Sequence, residues 1–273
     1  MIPSDTFRKD HCICFDDVIQ ASRRIDGIAH KTPVMTCASL DERFSSLRKK
    51  YKGDDDNYDD ICRRRLFFKM EAMQRTGSFK FRGALNSILA IVDSTKTESK
   101  GKAPLNVVTH SSGNHAQALA MGAKLASQKP ITNTVNNDIS TDEAWSRIKV
   151  NATIVMPRTA PEVKRCAVEA FGGEIVLVDG EDNASRANVA DTIVQERSGA
   201  VFVHPSEDLG VIAGQGTVCL EFVAQVRDML RPDCSGDIRC SLDAVIIPVG
   251  GGGLAAGNAI TLRSLLGDRV KVR

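Results

Sequence analysis

Short runs of β-branched and aromatic residues alternate along the chain with segments of helical periodicity. The runs predicted as strands lie at 66–69, 107–109, 154–156, 175–178, 201–203 and 245–249. Between them apolar residues recur about every 3.6 positions, as in 79–92 and 116–126, so each segment predicts a helix with one apolar face. Strands that alternate with helices in this way are typical of an α/β fold with largely parallel sheets.

Composition narrows the classes of protein to which this pattern can belong. The chain has 273 residues, of which 42% are hydrophobic and 26% charged, enough for a sizeable core in one large or two modest domains. Its 36 Lys and Arg residues against 34 Asp and Glu residues leave a net charge of only +2, so we expect no nucleic-acid partner. No stretch approaches the ~20 apolar residues of a membrane helix, so we expect no membrane partner. The 8 cysteines include no C-x-x-C pair, and the N-terminus has no apolar signal segment, which favours free thiols in the cytoplasm.

Two stretches interrupt the alternation of strands and helices. Residues 45–65 carry a basic, an acidic and a second basic block, and residues 130–150 are polar and rich in Asn and Thr. Such tracts are usually solvent-exposed loops, and we interpret both as surface insertions. Residues 270–273 are predicted as a strand, and the sequence ends there. We therefore expect that a closing segment is missing.

The segment TGSFKFRGA, 76–84, combines a turn with the start of a predicted helix. Ser78 is a favourable helix N-cap, which places Lys80 in the first helical turn on the apolar side of its neighbours. The positive end of the helix dipole and partial burial both disfavour an ammonium group, so Lys80 is a candidate nucleophile that could form a Schiff base. On this motif alone an ordinary surface lysine, with its stem packed along the helix, stays open as the alternative.

The segment THSSGNHAQ, 109–117, directly follows a predicted strand and opens a predicted helix. Small residues at such a turn leave backbone N–H groups free to bind an anion, here a substrate carboxylate. The hydroxyl of Ser112 could also act there as an acid or a base. A capped loop with incidental histidines remains the alternative for this motif.

Four glycines follow the predicted strand 245–249 and open a helix that runs through Leu266. Backbone amides at such a helix N-terminus can wrap a phosphate. The lysine and Ser/Thr of a nucleoside-triphosphate loop are absent, and the dinucleotide pattern lacks an acidic residue at the end of the next strand, because Asp268 precedes that strand. A lysine for an aldehyde, a turn for a carboxylate and a glycine cradle for a monophosphate together indicate pyridoxal phosphate as the cofactor.

Four segments carry a resemblance to a known family: TGSFKFRGA, THSSGNHAQALA, HPSEDLGVIAGQGT and PVGGGG. In sequence and in order they are similar to the motifs of the fold type II pyridoxal-phosphate enzymes, which include serine/threonine dehydratases and serine racemases. The double serine of SSGNH is most similar to the racemases of this family. The resemblance implies two open, twisted, largely parallel sheets flanked by helices. It also implies a small domain over 106–189 and a large domain made of 1–105 and 190–273, with the cofactor between the two.

The resemblance also implies roles for individual residues. Lys80 would form the Schiff base with the cofactor and move a proton on one of its faces, and Ser112 would move a proton on the opposite face. The other cofactor-binding residues would be Phe79, Asn114, Ser206, Gly250, Gly251, Gly252 and Gly253. The substrate-binding residues would be Ser111, Ser112, Gly113, Asn114, His115 and Arg186. A nucleotide would contact Arg75, Thr76 and Gln117.

The sequence departs from the family pattern at the nucleotide site, in Cys37, Ala38, Ser39 and Phe171, and at two further points. Ser206 stands where the racemases carry an asparagine, and its shorter side chain would reach the cofactor through a water molecule. The divalent-cation site of the family, which takes Mg, would lie beyond Arg273, so we expect no metal ligand in this chain.

The activity that the resemblance implies is the interconversion of L- and D-serine, accompanied by β-elimination of serine to pyruvate and ammonia. The expected partners are a small amino-acid substrate, pyridoxal 5'-phosphate and a second copy of the chain in a cytoplasmic homodimer. Two alternatives stay open: an L-threonine/L-serine dehydratase, and an inactive truncated remnant of such an enzyme.

Overall fold

A computed structural model describes residues 12–51, 64–98, 104–128, 148–179, 182–230 and 242–273. Most of the two stretches predicted as surface insertions, at 52–63 and 129–147, lies outside the described residues. In chain order the helices and strands are α1 (Phe15–Ile25), β1 (Val34–Thr36), α2 (Ala38–Tyr51), β2 (Phe67–Lys69), α3 (Lys80–Glu98), β3 (Leu105–His110), α4 (Asn114–Gln128), β4 (Val150–Pro157), α5 (Glu162–Ala170), β5 (Glu174–Val178), α6 (Asn183–Glu196), β6 (Ala200–Phe202), α7 (Leu209–Leu230), β7 (Ala244–Val245), α8 (Gly253–Leu266) and β8 (Lys271–Val272).

A parallel sheet of four strands, in the order β5-β4-β3-β6, lies between two groups of helices. In its centre Leu105 pairs with Val150 and His110 with Val155, so β3 and β4 run in register over the full length of β3. Both strands are almost continuously buried, as expected of a parallel sheet that is covered by helices on its two faces. The predicted α/β class with a parallel sheet is therefore confirmed.

The remaining strands form two short ribbons outside this sheet. The predicted strand at 66–69 becomes β2, which pairs antiparallel with β1 rather than in a parallel sheet. Only the start of the predicted strand 245–249 belongs to β7, which pairs in parallel with β8 near the C-terminus. Beyond β7 the backbone N–H of Ile247 still donates to the carbonyl of Arg273 at 2.8 Å.

Helix α3 crosses the core in front of the sheet and packs against α4 and α7. Every residue from 81 to 92 is buried, so α3 is covered on its polar side as well as on its apolar face. At its crossing with α7 the backbones approach closely, since a Cβ atom on Gly214 would lie 2.6 Å from the Cα atom of Gly83. The crossing therefore depends on residues without side chains.

A buried ion-pair network fixes the first turn of α3. The guanidinium of Arg82 is completely buried and donates to Glu71 at 2.8 Å and to Glu221 of α7 at 2.7 Å. Glu221 also accepts from Lys69 of β2 at 2.8 Å. Because Arg82 lies two residues after Lys80, the network holds the start of α3 against α7 and thereby fixes where Lys80 emerges.

By length and hydropathy alone, α7 could cross a membrane, although no such segment was expected from the sequence. Of its most apolar window, 67% is buried inside the protein, chiefly against α3 and α8. This degree of burial is typical of a core helix.

The structure changes one expectation about the organisation of the chain and bears on a second. Residues 45–51, predicted as the start of a surface loop, continue helix α2. The proposed domain limits remain a prediction, but the limit at 189 lies inside α6, and the sheet built from β3, β4 and β5 continues into β6, which ends at Phe202.

Candidate active site

The predicted motifs meet where the parallel strands end. The loop 111–113 follows β3, and the loop 203–208 follows its neighbour β6, so both leave the carboxyl edge of the sheet side by side. Thr109 ties the two loops together, because its hydroxyl donates to the carbonyl of Val203 at 2.8 Å. The carboxyl edge of a parallel sheet is the usual place for a ligand site in α/β proteins.

Lys80 is the first residue of α3, and its side chain is partly buried rather than extended over the surface. Its Nζ atom donates to the carbonyl of Pro205 at 2.6 Å and lies 5.4 Å from the centroid of the Phe79 ring. Burial lowers the pKa of Lys80, because the surrounding protein solvates an ammonium group less well than water does. The alternative of an ordinary surface lysine therefore does not hold.

Ser78 does not cap helix α3, contrary to the prediction from the sequence. Its hydroxyl is buried and has no hydrogen-bond partner among the described residues, and the helix begins only at Lys80. A buried hydroxyl without a partner is costly, and it becomes satisfied when a ligand supplies an acceptor or donor. The same holds for the buried hydroxyl of Thr76, in the loop before α3.

The loop after β3 forms the predicted turn into helix α4. Ser111 donates its backbone N–H to Val155 at 3.1 Å, and its hydroxyl accepts the backbone N–H of Gly113 at 3.2 Å. The N–H group of Gly113 is therefore already hydrogen-bonded within the loop, whereas the prediction left the N–H groups of this loop free for an anion. Ser112 is half-buried, and Asn114 begins α4.

His115, predicted to bind the substrate carboxylate, is buried beneath this turn. Its side chain is almost inaccessible to solvent. Burial and, as a smaller effect, repulsion by the nearby positive charge of Lys80 together lower the pKa of His115 to about 3. The imidazole is therefore neutral and close to Lys80, and only the backbone of His115 remains available for an anion at the loop.

The glycine loop before α8 packs against Ser206, in the turn after β6. Gly252 has a φ of 85° and caps α8 without a side chain, so the first N–H groups of the helix are left for an anion. A Cβ atom on Gly253 would lie 2.6 Å from the carbonyl oxygen of Ser206, and one on Gly251 would collide with the Ser206 side chain. The structure therefore brings Ser206 into direct contact with the glycine loop, while a Cβ atom on Gly250 would meet open space.

These residues fit a cofactor that carries both an aldehyde and a phosphate, as pyridoxal phosphate does. Pro205 and Ser206 are consecutive residues, and one contacts the Lys80 amine while the other contacts the glycine loop. The amine of lowered pKa suits an aldehyde, and the open helix N-terminus suits a phosphate. The turn at Pro205 and Ser206 thus links the Lys80 amine to the glycine loop.

A group of rings beside the site was not predicted from the sequence. His110 at the end of β3, Phe202 at the end of β6, and His204 lie with their centroids 5.5 to 6.1 Å apart. Burial lowers the pKa of His110, and the positive charge of Arg186 lowers it further. Arg186 of α6, predicted to contact the substrate, therefore lies on this side of the site.

The three residues assigned to a nucleotide come from two places in the fold, since Arg75 and Thr76 precede α3 and Gln117 belongs to α4. Arg75 is exposed and donates from Nε to the carbonyl of Ile28 at 2.5 Å, whereas Gln117 lies half-buried in α4. This assignment stays a prediction. Within the described ranges, no group of three or more His, Cys, Asp or Glu side chains is arranged to hold a metal ion.

Comparison with known proteins identifies the family to which these features are common. The family model described as "Pyridoxal-phosphate dependent enzyme" matches residues 56–146 and 139–273. Serine racemase from Rattus norvegicus is 40% identical over 255 residues, which cover 93% of this chain and 59% of the rat protein.

Solved structures share the fold over almost the entire chain. A pyridoxal 5'-phosphate-dependent aspartate racemase has a TM-score of 0.71 at 32% identity, covering 95% of this chain and 61% of its own. Maize serine racemase has a TM-score of 0.68 at 33% identity, covering 96% of this chain and 61% of its own. A threonine deaminase from T.th. has a TM-score of 0.64 at 32% identity, covering 93% of this chain and 62% of its own. The chain thus spans less than two thirds of the length of each relative.

Proposed function

The chain belongs to the family of pyridoxal-phosphate-dependent enzymes, and on this premise we propose that it acts as a serine racemase. It would interconvert L- and D-serine and, as a side reaction, eliminate water from serine to give an enamine that water hydrolyses to pyruvate and ammonia. One observation carries the proposal: the Lys80 amine, its pKa lowered by burial, contacts the turn that packs on the glycine loop. The 40% identity to rat serine racemase supports the choice of serine as substrate.

The proposed cofactor site consists of residues at the start of α3, at the start of α4 and in the glycine loop before α8. Lys80 would bind the aldehyde, Phe79 would lie against the ring, and Asn114 would contact the ring hydroxyl. Gly250, Gly251, Gly252 and Gly253 would hold the phosphate, with Ser206 completing the cradle. When bound, pyridoxal phosphate withdraws electrons from the substrate and so acidifies the hydrogen on its Cα atom.

Racemisation needs one proton-transfer group on each side of the substrate Cα atom. The Lys80 amine is suited to one side, because its lowered pKa lets it lose and regain a proton more easily than a free lysine does. We assign the other side to the hydroxyl of Ser112, which lies at the turn after β3. The substrate carboxylate would bind to the loop formed by Ser111, Ser112, Gly113 and Asn114 and to the backbone of His115, with Arg186 nearby. There it would replace the Ser111 hydroxyl as the acceptor of the Gly113 N–H.

Cofactor binding and product formation test this proposal together. The purified chain is expected to take up pyridoxal phosphate, with the absorbance band of the lysine-bound cofactor, and to form D-serine from L-serine. Lys80→Ala should abolish the band and the activity, whereas Lys124→Ala, an exposed lysine on α4, should leave both unchanged. A folded chain that takes up no pyridoxal phosphate would refute the proposal and would favour the alternative of an inactive remnant.

An L-threonine/L-serine dehydratase is the second candidate, because a threonine deaminase shares 32% identity and a TM-score of 0.64 with this chain. The two activities differ in their products, since threonine yields 2-oxobutyrate and serine yields pyruvate. A strong preference for threonine, with little D-serine formed, would favour the dehydratase. Racemisation of serine at a rate comparable to elimination would favour the racemase.

We further propose that the chain forms a cytoplasmic homodimer. A requirement for Mg would involve none of the residues assigned above. Free cysteines support a reducing compartment: among the described residues these are Cys12, Cys14, Cys37, Cys166 and Cys219. Light scattering after size-exclusion chromatography gives the mass of the assembly. A chelator should leave cofactor binding by this chain unchanged, and a loss of the absorbance band on chelation would contradict that part of the proposal.

A further inference from the structure

His204 lies against a stacked pair of aromatic side chains at the edge of the sheet that carries the site. The rings of His110 and Phe202 stack with their centroids 5.5 Å apart. His204 meets them edge-on, at 5.8 Å from His110 and 6.1 Å from Phe202. Contacts with residues of two neighbouring strands fix the orientation of the His204 imidazole. None of the roles predicted from the sequence falls on this residue.

The fixed ring shapes the turn that follows it. Its Nδ1 atom accepts the backbone N–H of Ser206 at 3.2 Å and that of Glu207 at 2.9 Å. An imidazole nitrogen can accept only when it carries no proton, so the hydrogen of this ring lies on Nε2. Asparagine and aspartate commonly close such turns with a side-chain oxygen bound to the N–H group two residues on. Here a histidine nitrogen takes the place of that oxygen.

The peptide group held by His204 also carries the partner of Lys80. The N–H of Ser206 and the carbonyl of Pro205 belong to one peptide unit, and this unit is trans. In a trans peptide the N–H and the carbonyl point in opposite directions. Orienting the N–H toward His204 therefore directs the carbonyl toward Lys80, whose Nζ atom lies 2.6 Å from it.

The same turn sets the position of Ser206 against the glycine loop. The packing is tight, because a Cβ atom on Gly253 would come within 2.6 Å of the Ser206 carbonyl oxygen. A rotation of the Pro205–Ser206 peptide would therefore disturb both the lysine contact and the loop before α8. Pro205 has no N–H group of its own, so the N–H groups available to hold this turn are those of Ser206 and Glu207.

We propose that His204 is a positioning residue for the site. By accepting two backbone N–H groups it orients the Pro205–Ser206 peptide, and this peptide fixes the Lys80 amine and one wall of the glycine cradle. The consequence for the cofactor rests on the proposed function, whereas the orientation of the turn does not.

Two substitutions of His204 separate the effect of its hydrogen-bond acceptor from the effect of its aromatic ring. His204→Asn keeps an acceptor oxygen close to where Nδ1 lies, whereas His204→Leu is similar in size but accepts no hydrogen bond. His30→Leu is the matched control, because His30 lies outside the site and contacts the carbonyl of Met73. If His204→Leu does not fold, as judged by its thermal melting, His204→Gln repeats the comparison with the acceptor moved away from the Nδ1 position.

Two measurements decide the proposal. Amide hydrogen exchange at Ser206 and Glu207, followed by NMR without cofactor, should be faster in His204→Leu than in the parent chain and stay slow in His204→Asn and His30→Leu. Affinity for pyridoxal phosphate should fall about tenfold in His204→Leu, as expected when two backbone hydrogen bonds are lost, and should recover to within about threefold in His204→Asn.

The opposite results would overturn the proposal. A His204→Leu chain with unchanged exchange and affinity would show that the turn stands without the imidazole. A His204→Asn chain as impaired as His204→Leu would show that the ring, not the acceptor, matters. If the parent chain itself bound no pyridoxal phosphate, the proposed function would fail, and the exchange rates would still decide whether His204 orients the peptide.

Discussion

The chemistry of the site begins with one amine that is held out of bulk water. Among the described residues Lys80 has no acidic partner, and burial is the cause of its lowered pKa. The Pro205 carbonyl aligns the amine without neutralising it, because a carbonyl accepts a hydrogen bond but carries no charge. A lysine in this setting is both fixed in place and easier to deprotonate than a lysine in water.

The rate at which the apo chain captures pyridoxal phosphate should therefore depend on pH in a specific way. Only the neutral amine attacks an aldehyde, so the rate should rise as pH increases and Lys80 loses its proton. Because burial lowers the pKa of Lys80, the midpoint of this rise should lie below that of a free lysine side chain. Stopped-flow absorbance over a pH series measures it, and a midpoint at or above the value of free lysine would contradict the prediction.

Ser112→Ala should separate cofactor binding from racemisation. The substitution removes one hydroxyl from the half-buried loop after β3, so the absorbance band of the bound cofactor should persist. Loss of one proton-transfer group should slow racemisation by about 100-fold. The rates from L- to D-serine and from D- to L-serine measure the effect. Equal rates in variant and parent, in both directions, would remove Ser112 from the mechanism.

Some residues of the site could be recognised from the sequence and others could not. Lys80 and the loop 111–113 belong to motifs whose residue types carry their chemistry with them. His204 and Pro205 also belong to a quoted motif, HPSEDLGVIAGQGT, but their residue types do not show what they do. Pro205 acts through its backbone carbonyl, and His204 acts through an unusual turn closed by an imidazole. His115 was recognised as part of the motif, but the burial of its ring beneath the loop depends on packing that no local pattern shows.

Among the elements of the fold, the crossing of α3 and α7 tolerates the least change. A Cβ atom on Gly214 would lie 2.6 Å from the Cα atom of Gly83 and 2.7 Å from the carbonyl oxygen of Arg82. Both are backbone atoms, which cannot rotate away as a side chain can, so the helices must move apart to admit a methyl group.

Gly214→Ala should accordingly destabilise the chain by about 2 kcal/mol, the usual cost of overpacking a core. Gly250→Ala is the matched control, because a Cβ atom there would meet open space and the backbone has no positive φ. Urea denaturation of both variants measures the free energy of unfolding. A Gly214→Ala chain as stable as the control would show that the crossing is looser than described.

The ion-pair network between α3, β2 and α7 should make stability depend on pH. Burial by itself would raise the pKa of Glu221, but hydrogen bonds from Arg82 and Lys69 outweigh burial and lower it. A carboxyl whose pKa is lower in the folded than in the unfolded chain stabilises the fold at pH values above its unfolded pKa, about 4.3, and this stabilisation is lost as pH falls through the folded pKa. Acid should therefore weaken the α3–α7 contact.

Glu221→Gln tests this contribution. At neutral pH the variant should lose about 3 kcal/mol of stability, because it leaves part of the charge of buried Arg82 uncompensated. Below pH about 4 the difference from the parent chain should shrink. Glu174→Gln, which breaks an exposed pair with Arg197, should cost less than about 1 kcal/mol. An equal difference between Glu221→Gln and parent at every pH would contradict the proposed linkage.

Sequence patterns predicted the buried elements better than the charged ones. The runs at 107–109 and 154–156 are rich in β-branched residues, and they form the centre of the parallel sheet. The basic block after Ser45 was interpreted as a loop from its charge, yet Arg and Lys are good helix formers, and α2 continues to Tyr51. Pairing decides the extent of a strand, and β7 is short because its partner β8 has only two residues.

On the scale of the whole molecule, the site joins two layers that have separate cores. One core lies between α3, α4 and the parallel sheet, and another lies between α7, α8 and the β7–β8 ribbon. Lys80 comes from the first layer, the glycine loop belongs to the second, and the turn after β6 contacts both. A ligand that bridges Lys80 and the glycine loop therefore binds only when both layers are folded and correctly placed.

Pyridoxal phosphate should consequently stabilise the entire chain as one unit. A ligand that binds only the folded state raises the free energy of unfolding by about 2.7 kcal/mol at a concentration about 100 times its dissociation constant. Chemical denaturation at several cofactor concentrations, followed by circular dichroism and by fluorescence, should show one transition that moves to higher denaturant.

Inorganic phosphate is the control ligand. It can bind the glycine loop but has no aldehyde with which the Lys80 amine can react, so it should shift the midpoint of the transition much less. Lys80→Ala should reduce the response to pyridoxal phosphate toward that of inorganic phosphate. If pyridoxal phosphate shifts only one of two separate transitions, the site lies within a single layer, and the bridge between Lys80 and Gly253 is not formed.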